Sequence, residues 1–224
     1  MALRLLRLGV AILLAASGAL MCAASWQRWA GSCSSGGTLD ACDLRQDHLY
    51  DFLPPVEPWA PAGDAASLAG LSLLVLALAL PMLPWALTGR RPGAFSAIAL
   101  LVSEVALVAV GLATLRTGLS GVVVDPALES WSVAVWFLGP PLLLARFAVA
   151  AHGWARAASI VLALSMPLVG SLTYAIGSYD TQPWWEAVSG SIMALGAFCL
   201  LVAATLPHRT TPVVRAVAGV RSFP

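Results

Sequence analysis

Residues 94–115 read AFSAIALLVSEVALVAVGLATL, a continuous apolar stretch with a single acid, Glu104, near its middle. About 20 apolar residues suffice for a helix to cross a hydrocarbon core. A helix at the surface of a soluble domain would show a polar face, and this stretch has none. It also lacks the apolar–polar alternation of a barrel strand. A helix is therefore the structure that satisfies its backbone inside lipid.

Comparable blocks lie near 5–25, 65–87, 131–151, 157–177 and 187–207. The expected fold is all-α: a polytopic membrane bundle of about six transmembrane helices. It forms a single domain over 1–224, with an extracytoplasmic loop at 26–64 and a cytoplasmic tail at 208–224. Composition agrees. Only 10% of the residues are charged, against about 25% in soluble proteins, too few to cover a surface facing water. The first block has a basic start and small residues at Ala23 and Ala24, as a secretory signal does. Its apolar run is long for a signal, so it is read as a retained span.

Arginine sets the expected orientation. Every basic residue is Arg, and Asn is absent as well. The loss of two residues with AT-rich codons points to a GC-rich bacterial genome. Arg4, Arg7, Arg90, Arg91, Arg146, Arg156, Arg209, Arg215 and Arg221 fall on one side of a six-span arrangement; Arg28, Arg45 and Arg116 fall on the other. The positive-inside rule then makes both termini cytoplasmic in a multi-pass cell-membrane protein. All acids except Glu104 lie in the three outer segments.

The outer loop holds Cys33 and Cys42 on the oxidising side, where a disulfide is expected to staple it. Asp43, Asp47 and Asp51 follow at helical spacing beside His48. They form a weak candidate cation site, more simply read as a solvated acidic face. No metal or cofactor is called for. Asp64 is placed to cap the second span. Trp26, Trp29, Trp59, Trp131, Trp184 and Trp185 crowd the outer side as an interfacial belt. Cys22 and Cys199 fall within spans.

Catalytic and nucleic-acid chemistry find little support. Gly118-Leu119-Ser120-Gly121 matches the G-x-S-G of rhomboid proteases. That chemistry needs a His at the depth of the Ser; Ser120 lies in an outer loop, while His152 and His208 lie on the inner side. There is no nucleotide loop, and no basic run or zinc spacing that would suit nucleic acid.

Three features remain. Prolines interrupt the second span (Pro81, Pro84), the fourth (Pro140, Pro141) and the fifth (Pro167), as in inverted-repeat transporters. Small residues at spacing four (Ala11, Ala15 and Ala19; Gly190 and Ala194) suit close helix packing. Glu104 lies about 15 Å from the inner end of its helix, at a depth where an acid is a functional candidate. It is expected to face the bundle interior and there to carry its proton, pair with Arg146, or line a hydrated cavity with Ser103, Ser165, Ser171 and Thr173. The expected function is a non-enzymatic scaffold or accessory subunit whose partners are the lipid bilayer and other membrane proteins. The alternative is a small transporter or ion or proton pathway through Glu104.

Overall fold

The computed structural model describes residues 1–30, 54–57, 59, 61–176 and 184–206. Among them the elements are helical: α1 (Ala2–Trp29), α2 (Ala65–Ala79), a 3-10 turn (Leu80–Met82), α3 (Leu83–Thr88), α4 (Ala94–Ser120), α5 (Glu129–Ala150), α6 (Gly153–Leu164), α7 (Pro167–Ile176) and α8 (Trp185–Thr205). Five stretches are long and apolar enough to cross a membrane: Ala2–Trp29, Ala65–Thr88, Ala94–Ser120, Ser130–Ala150 and Trp185–Thr205. Large apolar side chains point outward along them, among them Ile12, Leu78, Ile98, Leu101, Leu142 and Phe198. A surface of this kind suits lipid, not water, and marks a membrane-embedded helical protein.

Each proline interruption takes a different form. In the second span Pro81 and Pro84 tighten the helix into the 3-10 turn, and the direction is kept through α3. In the fourth, both prolines lie inside a continuous α5. The fifth differs from expectation, because 157–177 is not one helix. The chain turns at Ser165 and Met166, and α7 restarts with Pro167 in its first turn, where a missing N–H costs nothing. The Ser165 hydroxyl donates to the Leu162 carbonyl at 2.8 Å and helps close α6.

The helices close a ring in which α1 touches α2, α2 touches α4, and α4 touches α5; α5 touches α6, α6 touches α8, and α8 returns to α1. The first and last described helices thus form one seam, the most extensive in the ring. A Cβ built on Gly18 would lie 2.5 Å from the Gly190 carbonyl oxygen, so only glycine permits this crossing. Gly190 was expected as a packing residue. Ala15 and Ala19 instead face outward, and Gly18 takes their place. Against α2, Ser17 and Ser72 pair reciprocally: each hydroxyl donates to the other's carbonyl, at 2.9 and 2.8 Å.

Arg7 fixes one end of this seam. Its buried guanidinium donates to Ala86 O at 2.8 Å and to Ala203 O at 2.7 Å. Both carbonyls lie in the last turns of their helices, where the helix dipole favours a cation. The start of α1 and the end of α8 therefore lie at the same end of the bundle, with Arg4, Arg90, Arg91, Arg146 and Arg156. Asp64 does occupy the N-cap position of α2, but its side chain makes no capping bond.

Candidate functional site

At the opposite end of the same seam, α1 runs one turn past its apolar block and carries Arg28 and Trp29 toward the start of α8. Arg28 Nη1 donates to Glu186 Oε1 at 2.6 Å, and Trp29 Nε1 donates to Glu186 Oε2 at 3.1 Å. The two charged side chains are only 3% and 1% exposed. The guanidinium lies 4.9 Å from the centre of the Trp29 ring, within cation–π range. Beside this group Trp184 holds a left-handed backbone, φ 77, and its ring stands 5.7 Å from that of Trp26. Such a conformation costs a non-glycine residue on the order of 1–3 kcal/mol. The ring contact and the ion pair next to it hold it in place.

This cluster was not foreseen. Arg28, Glu186 and the tryptophans had been assigned separately to outer loops and to the interfacial belt. One cue was available: an Arg on the side otherwise poor in arginine. The geometry is that of a clamp, with a buried carboxylate engaged by two donors. It joins Gly18–Gly190 and Arg7 in fastening α1 to α8 along its length.

Glu104 sits on α4, half-buried, flanked by the outward-facing Leu101 and Val105. Its depth follows from the packing of α4 on α2: Gly111 meets Leu73 and Leu74, and Gly118 meets Ser67. Moving about two turns along each antiparallel helix puts Glu104 level with Pro81, and α4 does touch the 3-10 turn. The Oε2 atom is buried and has no hydrogen-bond partner. Arg146 does not supply one: it is exposed, and its guanidinium lies 5.8 Å above the Phe95 ring. The expected pairing is thus not formed. Ser103, next to Glu104, faces α5 instead, where it fills the space a side chain on Gly139 would need.

The three proline sites converge elsewhere. Leu76, Leu80 and Leu83 around the 3-10 turn, Trp136, Pro140 and Leu144 of α5, Leu162 and Met166 at the α6–α7 break, and Leu14 of α1 surround a cavity of about 10 Å³. Its walls are apolar and it is barely the size of one water. Glu104 is not among its lining residues. Of the prolines only Pro140 lines it, and the residues beside the other two sites complete a packed apolar centre.

Ser120 closes α4. Its hydroxyl accepts from Val122 N–H at 3.3 Å and lies 3.2 Å from Val122 O, while Gly121 adopts φ 69 as the helix cap. The G-x-S-G motif is a helix terminus, and its glycine supplies the left-handed cap. Cys33, Cys42, Asp43, Asp47, His48 and Asp51 lie outside the described residues, as do the side chains of Ser171 and Thr173. Among the described residues no three His, Cys, Asp or Glu side chains gather as a metal site. Compared with known protein families, with curated proteins and with solved structures, the chain matches none.

Proposed function

We propose that the chain is a six-crossing, non-catalytic membrane scaffold that offers α4 to a transmembrane helix of a partner. One observation carries this reading: the unpartnered Glu104 oxygen at mid-depth, on the rim of α4 between outward-facing Leu101 and Val105. A polar atom without a partner at that depth is costly, and a hydrogen-bonding side chain from a neighbouring helix would satisfy it. The apolar centre of the bundle favours this over conduction.

In this reading the crossings are six, with α6 and α7 making the fifth together. That count fits the shared end at which α1 begins and α8 finishes. Both termini are cytoplasmic in the cell membrane, on the arginine-bearing side. Reporter fusions at Arg90, Gly153 and Pro224 should read cytoplasmic, and those at Arg45, Val122 and Thr181 external; an external Pro224 would sink the topology.

The function is tested by photo-crosslinking from Leu101 and Val105 in native membranes. A discrete protein adduct that Glu104→Leu abolishes is expected. Crosslinks to lipid alone would refute the scaffold reading. A second reading, a proton pathway through Glu104, rests on the same buried carboxyl. It predicts dye-reported proton flux in proteoliposomes that Glu104→Gln removes, whereas the scaffold predicts none.

A further inference from the structure

We infer that the arginine-bearing end holds a binding site for the headgroup of an anionic phospholipid, built where the start of α1, the α3–α4 turn and the C-terminal part of α5 meet. The inference rests on the membrane-embedded reading of the chain and is independent of any protein partner. Arg90 and Arg91 stand exposed in the turn that follows Gly89. Leu3 packs beside Gly89, which brings Arg4 to the same corner. Arg146 reaches it from α5, its guanidinium resting on Phe95, one turn beyond Arg91.

The electrostatics are one-sided. Among the described residues none of these four arginines forms an ion pair, although Arg28 at the other end does. Arg7 in the same region is already engaged by two carbonyls and is not free to bind an anion. Glu57, Asp64, Asp125, Glu129 and Glu186 belong to the opposite end of the bundle, and Glu104 is at mid-depth. Four guanidiniums with no facing acid among the described residues leave a concentrated positive field, and self-repulsion among them is relieved by a bound anion. Arginine is suited to phosphate, which it can engage with two parallel donors.

Depth selects the lipid as the source of that phosphate. Trp85, in α3, and Trp154, in the first turn of α6, are part-exposed at the same end, as interfacial side chains at headgroup level are. Phe95, its ring centre 5.8 Å from the Arg146 guanidinium, is 73% exposed, an apolar ring beside a cation, available to an acyl chain. A headgroup would be held from above by arginine and its chain would run down the face of α4.

The test compares unfolding midpoints of the full chain in nanodiscs of phosphatidylcholine alone and of phosphatidylcholine with phosphatidylglycerol. The wild type should be stabilised by the anionic lipid. Arg91→Gln with Arg146→Gln should lose that gain and bind phosphatidylglycerol roughly 30-fold more weakly, at the usual strength of two surface arginines. Arg91→Lys with Arg146→Lys should keep most of it, which separates charge from a folding defect. Arg116→Gln, an exposed arginine at the other end, should keep it all. The proposal falls if the Gln pair retains the gain, if Arg116→Gln loses as much, or if inorganic phosphate added to phosphatidylcholine discs gives the same stabilisation. A wild-type chain that fails to float with the bilayer would overturn the membrane reading itself.

Discussion

Replacing Glu186 with Ala should destabilise the bundle more than almost any other single change at its surface end. Arg28 and Glu186 are 3% and 1% exposed and 2.6 Å apart. Solvent screening is therefore weak, and the ordinary discount for surface pairs does not apply. Removing the carboxylate takes from a buried guanidinium the counter-charge at 2.6 Å, and breaking a buried pair in this way costs about 3–5 kcal/mol. The Trp29 indole also loses its acceptor at 3.1 Å. Glu186→Gln should cost less, since an amide oxygen can still accept that bond. The informative variant is Arg28→Met with Glu186→Leu, which removes both charges and keeps the volume. Apolar replacement of a whole buried pair is often neutral or stabilising, so this double variant should recover most of the loss, the remainder being the Trp29 indole left without its acceptor, about 1–3 kcal/mol. Denaturant unfolding in lipid bicelles, followed by far-UV ellipticity, measures all three. A loss below about 1 kcal/mol for Glu186→Ala would refute the reasoning, as would a double variant no better than the single one.

Gly190→Val should disrupt the α1–α8 crossing, because a side chain there meets the Gly18 carbonyl oxygen at 2.5 Å. Overpacking costs typically about 1–3 kcal/mol, read in the same bicelle assay, and Gly9→Ala, with open space around it, should serve as the silent control. Arg7→Met should lose two hydrogen bonds from a charged donor, about 1.5–3 kcal/mol each at most, and free the last turn of α8 for faster amide exchange, measurable by mass spectrometry. Cys33 and Cys42 should resist thiol labelling in unreduced, unfolded protein, while Cys22 and Cys199, which are free thiols, should label.

The parts of the fold that depend on local sequence were legible. Block length and hydropathy located the long helices, and charge asymmetry put Arg4, Arg90, Arg91, Arg146 and Arg156 at one end. The proline in the fifth block was visible, but not what it would do: Pro81, Pro140 and Pro167 share the same covalent defect, and packing decided between a tightened turn, a continuous helix and a break. Position along α4 put Glu104 well inside its span, yet its rotation about the helix axis is a tertiary property, so the half-buried rim position was not readable. Arg146 illustrates the same gap, because its reach was compatible with Glu104 and its direction was not. Arg28 and Glu186 are far apart in sequence, and nothing local to either announces the other.

The seam between the first and last helices has a consequence for biosynthesis. As α1 leaves the ribosome it carries Arg7 and Arg28, but Glu186 lies 158 residues after Arg28 and Ala203 lies 196 after Arg7. Until both are made, Arg7 has only Ala86 O of the two carbonyls that hold it, Arg28 lacks Glu186, and the groove at Gly18 stands open. A chain truncated before α8 would thus present Arg7 with one of its two carbonyls, Arg28 without Glu186 and an uncovered glycine face to insertases and membrane proteases. Assembly of this protein reports its own completion.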